Sequence, residues 1–218
     1  MTHVAFETTA PALLDITPDS VVAAVTAHPD DLEVMLGYGI MHAGSVGAEV
    51  HAYIATDGER STIGDPKFVR NGGRILEAKE GAATLNIPKV RLHMPHFKDG
   101  SLSDWPWGLE IAVKQFFTKH NITTALTLGE QGGDGHPDHI AIHRAAVAAS
   151  AGTVAVWGLQ HGSEEHGLIL PSAEMRARKL TAVSRHSSQY PPEPDGSISA
   201  RHKPYSHFLE KETYIKYA

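Results

Sequence analysis

Runs of small and branched apolar residues alternate along this chain with segments of helical period. The apolar runs are continuous rather than alternating, which is typical of strands buried on both faces of a sheet. Five such strands are predicted, over Val21–Ala27, Val50–Ala55, Val90–Met94, Thr123–Leu128 and Val154–Gly158. Helices are predicted over Leu32–Ala43, Gly73–Leu85, Trp107–His120, Asp138–Ala149 and Ala173–His186. This alternation predicts an α/β fold with a mostly parallel sheet and helices on both of its faces.

The last part of the chain is less regular. A Pro-rich turn begins at Tyr190, and a final strand is predicted over His207–Tyr217. The sequence contains no internal repeat and no low-complexity linker. We therefore expect residues 1–218 to form a single Rossmann-like domain, long enough to bury roughly 70–75% of its unfolded surface.

Polar residues follow directly after four of the predicted strands. They are His28, Asp57, the segment 95–99 and the segment 129–136. In open α/β sheets, ligands bind beyond the carboxyl ends of the strands. These polar residues are therefore expected to converge on one rim of the sheet and to form the functional site.

The first candidate motif is His28-Pro-Asp30-Asp31, which ends the first strand. Pro29 biases His28 towards an extended backbone, and the helix that begins near Leu32 favours carboxylates at its N-terminus. A helix N-cap would account for one aspartate. It would not account for the histidine or for the second acid, so a metal site is the stronger interpretation.

The second candidate motif has the same layout: a strand, the glycine-rich turn 132–135, and then His136-Pro-Asp138-His139 at the start of a helix. His139 and His143 are four residues apart, a spacing that can form a two-histidine metal face on a helix. We interpret His143 as a helix-surface residue, because Asp138 and His139 belong to the junction at the rim. An H-x-x-H pair alone is a weak signal, and the first motif strengthens it.

Together the two motifs offer nitrogen and oxygen ligands for a metal ion. The chain has no cysteine, which excludes disulfides and thiolate ligands. Two histidines and one carboxylate fit a catalytic zinc site, which leaves a position for water. A spare carboxylate can accept a proton from that water, and a further histidine can stabilise an oxyanion. Hydrolysis is the reaction class that this set predicts.

Composition narrows the other possibilities. The formal charge of −6 argues against a nucleic-acid partner, since nucleic-acid binders normally carry a basic footprint. We see no signal peptide at the N-terminus and no apolar run of membrane-spanning length, so no membrane partner is expected and a cytoplasmic enzyme is the default expectation. A dinucleotide-binding module would need G-x-G-x-x-G after the first strand, where His28-Pro-Asp-Asp stands instead.

The two motifs resemble those of the LmbE/PIG-L family of zinc-dependent N-acetylglucosaminyl deacetylases. The segment 27–33, A-H-P-D-D-L-E, matches the family's A-H-P-D-D-x-E, and the segment 136–139 matches its H-P-D-H. Weaker matches are Thr56-Asp-Gly-Glu, Arg74-x-x-Glu77, Asp99-Gly100 and His186-Ser-Ser-Gln189 with Lys179 before it. The resemblance spans roughly residues 21 to 190. Asn86 replaces the usual glycine after Leu85, a tolerable change because asparagine also adopts the left-handed conformation.

The resemblance implies a role for each residue of the two motifs. His28, Asp31 and His139 would bind zinc, with Fe²⁺ as an alternative. Asp30 would act as general base on the metal-bound water. His136 would stabilise the oxyanion and protonate the amine, with Asp138 orienting it. Family members often assemble as trimers or hexamers, and the resemblance implies a homo-oligomer of this kind.

Several other residues have both a functional and a structural interpretation. Arg60 and Asp99 are predicted to contact a small-molecule substrate, with a solvated surface arginine as the alternative for Arg60. Glu33 and His186 are expected to be structural. Core or interface packing is expected for Trp105 and Trp107, with stacking on a sugar ring as the alternative. Four further histidines lie near predicted strand ends, and at most one of them is expected in the site; they are His93, His96, His161 and His166.

The leading functional hypothesis is a deacetylase that acts on an N-acetylated amino sugar or related amine. An amidase that cleaves a larger acyl group or a thiol conjugate is the nearest alternative. A metal-binding protein without catalytic activity is the third.

Overall fold

The computed structural model describes residues 13–160, 167–191 and 207–218. Its strands are β1 Val21–Thr26, β2 Glu49–Ile54, β3 Leu92–His93, β4 Thr124–Thr127, β5 Ala155–Leu159, β6 Gly167–Ile169 and β7 Glu212–Lys216. Its helices are α1 Asp31–Ser45, α2 Pro66–Arg70, α3 Gly73–Thr84, α4 Pro106–Lys119, α5 Pro137–Ser150 and α6 Ala173–Ser184.

All seven strands belong to one sheet, in the order β3-β2-β1-β4-β5-β7-β6. The pairs from β3 across to β5 are parallel, whereas β7 pairs antiparallel with both β5 and β6. The predicted α/β fold with a mostly parallel sheet is therefore confirmed. The strand order reverses between β1 and β4, so the carboxyl ends of these neighbouring strands open a crevice for ligands.

The helices form two layers. Crossovers between parallel strands are right-handed, so the connections that run from β1 outward to β3 and those that run from β3 to β5 lie on opposite faces. Helices α1, α3 and α6 pack against one another in the first layer, and α4 packs against α5 in the second. The expectation of helices on both faces is met.

The core lies between these layers. Five of the six residues of β1 are buried, and the first thirteen residues of α1 are all buried because the helix is covered by the sheet and by α3 and α6. Apart from Val69 of α2, the buried apolar residues form one continuous cluster. No helix in the described parts of the chain is long and apolar enough to cross a membrane.

The predicted elements differ from the structure at the edges of the sheet. The strand expected over Val90–Met94 is reduced to the two residues of β3, because a 3₁₀ turn occupies Lys89–Arg91 and leaves Val90 80% exposed. The final strand begins only at Glu212, after a 3₁₀ turn at 207–209. Strand β6 and helix α2 were not predicted; they have three and five residues, too few for a periodic pattern.

Two further expectations about single residues can be checked. Asn86 has a φ of +65°, the left-handed conformation expected of an asparagine in place of glycine. Trp105 and Trp107 are 64% and 76% exposed, so core packing is wrong for these residues, and their interface packing stays a prediction. They lie at the start of α4, where the helix turns this face away from the sheet.

A buried ion pair joins the end of the chain to the first layer of helices. Lys179 of α6 and Glu212 of β7 are fully buried and 2.6 Å apart. The Glu212 carboxylate also accepts hydrogen bonds from the backbone N–H groups of Tyr38 and Gly39 and from the Tyr214 hydroxyl, at 2.6–2.8 Å. Burial lowers the pKa of Lys179, and the charge of Glu212 opposes that shift. The pair thus fixes β7 against α1 and α6.

We predict that Lys179→Met lowers the free energy of unfolding by about 3–5 kcal/mol, because it leaves the Glu212 carboxylate buried without a counter-charge. Lys216→Met is the matched control. Lys216 is a half-exposed lysine of the same strand β7 that pairs with Asp15, and its loss should cost about 1 kcal/mol or less. Urea denaturation of the two variants measures the difference. Equal losses would show that the buried pair does not stabilise the fold.

Candidate metal centre

The first motif lies where β1 ends and α1 begins. Asp30 is the N-cap residue of α1, but its side chain makes no capping hydrogen bond. Asp31 turns back instead, and its Oδ2 accepts a hydrogen bond of 2.7 Å from the backbone N–H of His28. The simple N-cap explanation therefore fails for both aspartates. Both aspartates instead line the space beyond the end of β1.

The second motif lies between β4 and α5. Gly132 has a φ of +71°, and a Cβ atom at this position would lie 2.8 Å from the Cβ of His139. The glycine thus lets the turn fold tightly over the start of α5, as its left-handed backbone requires. His136 is the N-cap residue of α5, and its Nδ1 accepts the backbone N–H of Asp138 at 3.2 Å.

Parallel pairing brings the two motifs together. His28 Nδ1 lies 3.1 Å from His139 Nε2, and each of these atoms faces a different oxygen of the Asp31 carboxylate. The distances are 3.3 Å from His28 Nδ1 to Oδ2 and 3.2 Å from His139 Nε2 to Oδ1. All three residues are at least nine-tenths buried. The three side chains predicted as metal ligands thus form one compact triangle.

This triangle fits a tetrahedral metal ion. With bonds of about 2.0–2.1 Å, the ligand atoms of a zinc ion lie about 3.3–3.4 Å apart. The three distances, which involve both oxygens of Asp31 and therefore four atoms, are each within about 0.3 Å of that spacing. His136 lies close enough to form an alternative three-histidine group with His28 and His139.

Further carboxylates bind the outward-facing nitrogens of both histidines. His28 Nε2 lies 3.2 Å from Asp99 and 3.4 Å from Asp138. His139 Nδ1 lies 2.9 Å from Asp134. Metal-binding histidines commonly donate their second ring nitrogen to a carboxylate in this way, which fixes the tautomer and the ring orientation. Each ring therefore has one nitrogen that faces Asp31 and one that faces a further carboxylate.

Asp138 is the most deeply buried of these carboxylates, with no exposed surface. Its two oxygens accept the backbone N–H groups of Gly100, at 2.7 Å, and Leu102, at 3.0 Å. Its contact with His136 is made by its backbone N–H, whereas its carboxylate is directed at His28 and the segment 100–102. The carboxylate therefore orients His28 in this structure.

The electrostatics of the cluster reflect this concentration of acids. Burial alone would lower the pKa of His28, but the charge of Asp31 and hydrogen bonds to Asp138, Asp31 and Asp99 hold it well above the usual value. Burial would likewise lower the pKa of His139, yet the charge of Asp31 and a hydrogen bond to Asp134 raise it to about 10. The pKa of Asp31 lies well below its usual range because both imidazoles overcome its burial. The carboxylates of the cluster thus stabilise positive charge on the two imidazoles.

His136 differs from these two histidines. Burial and the neighbouring charges of His28 and His139 lower its pKa. Since Nδ1 accepts the N–H of Asp138, the neutral ring carries its proton on Nε2. His136 is therefore a neutral hydrogen-bond donor at the edge of the metal centre.

A cavity of about 530 Å³ opens over the cluster. Seven of the eight residues predicted for the site line it, and Asp138 lies beneath them; the seven are His28, Asp30, Asp31, Arg60, Asp99, His136 and His139. The Arg60 backbone N–H donates to Asp99 Oδ2 at 2.9 Å. Asp99 therefore contacts both Arg60 and His28, in addition to facing the cavity.

Two residues of the site received no role from the sequence. Arg74 of α3 is buried, forms an ion pair with Asp30, and donates to the Gly58 carbonyl at 3.1 Å. It lies 44 residues from its partner, so only the family-like R-x-x-E segment drew attention to it. Asp134 is the acidic residue of the glycine-rich turn 132–135, and no spacing rule linked it to His139.

The expected structural role of Glu33 and His186 agrees with their buried contact of 2.9 Å, behind the cluster. The interpretation of His143 as a helix-surface residue is wrong. It is buried, and its Nδ1 lies 2.7 Å from the Leu128 carbonyl, because α5 turns this position onto the sheet. His93 and His96 do not line the cavity, and His161 and His166 lie outside the described residues.

Fold and site together define an α/β protein with a His/Asp metal-type centre at the reversal point of its sheet. A model of the PIG-L family, described as GlcNAc-PI de-N-acetylase, matches residues 23–150. The chain belongs to this family, and the resemblance found in the sequence is confirmed.

Two curated relatives are similar over the same region. A probable N-acetylglucosaminyl-phosphatidylinositol de-N-acetylase of Schizosaccharomyces pombe is 29% identical over 128 residues, 56% of this chain and 49% of that protein. A 1D-myo-inositol 2-acetamido-2-deoxy-alpha-D-glucopyranoside deacetylase of Mycobacterium sp. (strain KMS) is 28% identical over 151 residues, 57% of this chain and 48% of that protein. The chain thus spans about half the length of these relatives.

A solved structure shares the fold. The N,N'-diacetylchitobiose deacetylase from Pyrococcus horikoshii superposes with a TM-score of 0.73 and 17% sequence identity, covering 91% of this chain and 84% of that one. This likeness extends the shared fold beyond the family match, to most of the chain.

We predict that Asp134→Ala weakens the binding of Zn²⁺ by about 10–100-fold, because His139 loses the carboxylate that orients its ring. Competition with a chromophoric chelator measures the affinity. Asp104→Ala removes an exposed aspartate far along the chain from either motif and should leave the affinity unchanged. An unchanged affinity in Asp134→Ala would show that this hydrogen bond does not support metal binding.

Proposed function

We propose that the protein is a metal-dependent hydrolase that removes the acetyl group from an N-acetylated amino sugar or a related small molecule. The observation that carries the proposal is the meeting, in one cavity, of a three-ligand His/Asp triangle, a separate carboxylate and a neutral histidine. Family membership supports the same reaction class, since the curated relatives are named as deacetylases.

His28, Asp31 and His139 would hold the metal ion, Zn²⁺ in the first instance and Fe²⁺ as the alternative. When bound, such an ion lowers the pKa of a water molecule and polarises a carbonyl oxygen. Asp99, Asp138 and Asp134 keep the two imidazoles oriented towards that position.

Asp30 is the general base of this proposal. Its carboxylate lines the cavity beside Asp31, is not used as a helix cap, and is held by Arg74. An ionised carboxylate only accepts hydrogen bonds, so it is suited to take the proton that the attacking water loses. Arg74, which also lines the cavity, fixes the direction of the Asp30 carboxylate.

His136 stabilises the oxyanion that develops on the substrate. Its Nε2–H faces the cavity as a preorganised donor, because Nδ1 is engaged at the N-terminus of α5. The proton that Asp30 takes from the attacking water passes to the amine nitrogen as the C–N bond breaks, which gives acetate and a primary amine. Protonation of the amine by His136, which the family resemblance implies, would require its ring to gain a second proton first and stays a prediction. Asp138 contributes by its backbone N–H, which fixes the ring.

The substrate class rests on the rest of the cavity. Polar side chains surround its mouth, among them Arg60, Ser61 and Gln189. A volume of about 530 Å³ accommodates a sugar as well as an acetyl group, and it accommodates a larger acyl group equally well. The amidase acting on a larger acyl group or thiol conjugate therefore remains the second candidate.

We also propose that residues 1–218 form one domain, since every strand in the described ranges joins the same sheet and the same core. The trimer or hexamer implied by the family resemblance stays a prediction. Light scattering of the purified protein measures the assembly directly.

We predict that Asp30→Asn lowers the release of primary amine by about 10²–10⁴-fold while the protein still binds its metal. The assay uses a panel of N-acetylated amino sugars, with the metal removed by a chelator and then restored as Zn²⁺. Asp104→Asn, on the exposed surface, is the control and should retain full activity. Full activity in Asp30→Asn would rule out this base.

Extending the panel to longer acyl groups separates the two candidate functions. Faster turnover of acetyl than of larger acyl groups supports the deacetylase, and the reverse order supports the second candidate. Absence of turnover on every member, with metal bound, would contradict the hydrolase proposal for this class of substrate.

We predict that His136→Ala lowers kcat by about 10²–10³-fold, because the oxyanion loses a preorganised donor. The change also removes a helix N-cap, which costs about 1 kcal/mol of stability. Ser172→Ala is the matched control, because Ser172 caps α6 by accepting the Met175 N–H and lies outside the cavity. Its stability should fall by a similar amount and its kcat should not. Equal kcat values for the two variants would contradict the role of His136.

A further inference from the structure

A second group of histidines lies at the opposite edge of the sheet. His51 of β2, His93 of β3 and His120, the C-cap residue of α4, bring one ring nitrogen each to within 4.8 Å of one another. His51 is level with Ala23 of β1, five residues before His28. At about 3.3 Å per residue His51 lies roughly 16 Å before His28 along the sheet, and His93, which is level with Val25, lies roughly 10 Å before it and two strands away. The second group therefore has no part in the catalytic centre.

The strand register explains how these side chains meet. His93 pairs with Tyr53, and residues two apart on a strand point to the same face, so His51 and His93 share a face of the sheet. Helix α4 covers this face through Phe116, whose ring packs against all three imidazoles at centroid distances of 4.9–6.3 Å. The helix then ends at His120, beside the other two rings.

The hydrogen bonds of the group engage His51 at both ring nitrogens. The Glu49 carboxylate accepts a hydrogen bond of 2.7 Å from His51 Nε2–H. His51 Nδ1 is then the acceptor in a 3.3 Å contact with His93 Nε2, and its lone pair is the one that a metal ion would take in place of this contact. His120 Nε2 is buried and has no hydrogen-bond partner. A buried polar atom is normally satisfied by a protein group, an ordered water molecule or a bound ion, so this nitrogen is available to a ligand.

The charges around the group suit metal binding. Burial and the neighbouring His120, His51 and Lys119 lower the pKa of His93 to about 4, so its ring is neutral near pH 7. Burial also lowers the pKa of His120. Glu49, which also pairs with Arg91, offsets part of the positive charge of the surroundings. Imidazole nitrogens with a carboxylate hydrogen-bonded to one of the rings are a common ligand set for Zn²⁺.

We propose that His51, His93 and His120 form a second site for a divalent transition metal ion such as Zn²⁺, with a structural rather than a catalytic role. The 3.3 Å separation of the His51 and His93 nitrogens matches the edge of a tetrahedral zinc site of about 3.3–3.4 Å. A bound ion ties the two-residue edge strand β3 and the end of α4 to β2. His93 and His120 are partly exposed, so an ion can enter from solvent.

The test counts metal ions in the full-length protein. Purified protein is stripped with a chelator, incubated with Zn²⁺, desalted, and analysed for zinc per chain by mass spectrometry. We expect about two ions per chain, and about one in each of the separate variants His93→Gln and His120→Gln. His96→Gln, which removes an exposed histidine outside both groups, should retain about two.

A variant of the proposed catalytic centre distinguishes the ion bound there from the ion bound at the second site. His28→Ala should retain about one ion, and His28→Ala combined with His120→Gln should retain about none. Zn²⁺ should raise the Tm of His28→Ala, and this rise should be lost in the combined variant. Circular dichroism establishes that each variant is folded.

Wild-type protein that holds one ion, removed by His28→Ala alone, would overturn the second site. So would unchanged stoichiometry in both His93→Gln and His120→Gln. If His28→Ala retained both ions instead, the proposed catalytic centre would fail while the second site stood.

Discussion

The parallel pairing of β1 with β4 is the constraint on which the candidate active site depends. Val25 pairs with Thr127, so the two strands end side by side. The chain that leaves β1 carries His28 and Asp31, and the chain that leaves β4 carries His139. Neither motif holds a three-ligand site alone, and a shift of one residue in this register would turn the side chains of one strand to the other face.

The cost of burying this cluster is offset by hydrogen bonds in every direction. Isolated carboxylates and imidazolium groups are unfavourable in a protein interior. Here the outward nitrogens of both histidines face carboxylates, and Asp138 in turn accepts two backbone N–H groups from the segment 100–102. The loop after β3 is thereby fixed to α5, across the crevice. The same hydrogen bonds therefore orient the side chains of the site and hold its loops in place.

The sequence was sufficient to predict the features that depend on neighbouring residues along the chain. The strands and helices that flank the site have enough residues to show a period, and each predicted ligand lies in a motif at a strand-to-helix connection. Contacts between distant segments were not predictable in this way. Arg74 meets Asp30, and the Asp138 carboxylate meets His28 rather than His136, because the tertiary packing of α3 and of the segment 100–102 decides these partners. His51, His93 and His120 share no motif, and only the register of β2 with β3 and the length of α4 unite them.

The two histidine groups differ in the charge and the space around them, and this difference is the reason why we propose a catalytic role for one and a structural role for the other. At the carboxyl edge, four carboxylates surround two histidines beneath an open cavity; they are Asp31, Asp99, Asp134 and Asp138. A cation there is strongly attracted and still accessible to a substrate. At the amino edge, Glu49 is the carboxylate hydrogen-bonded to the group, and Phe116 packs against all three rings. An ion bound there by three imidazoles would lie beside packed side chains rather than beneath an open cavity, so it would stabilise the edge of the sheet without reaching a substrate.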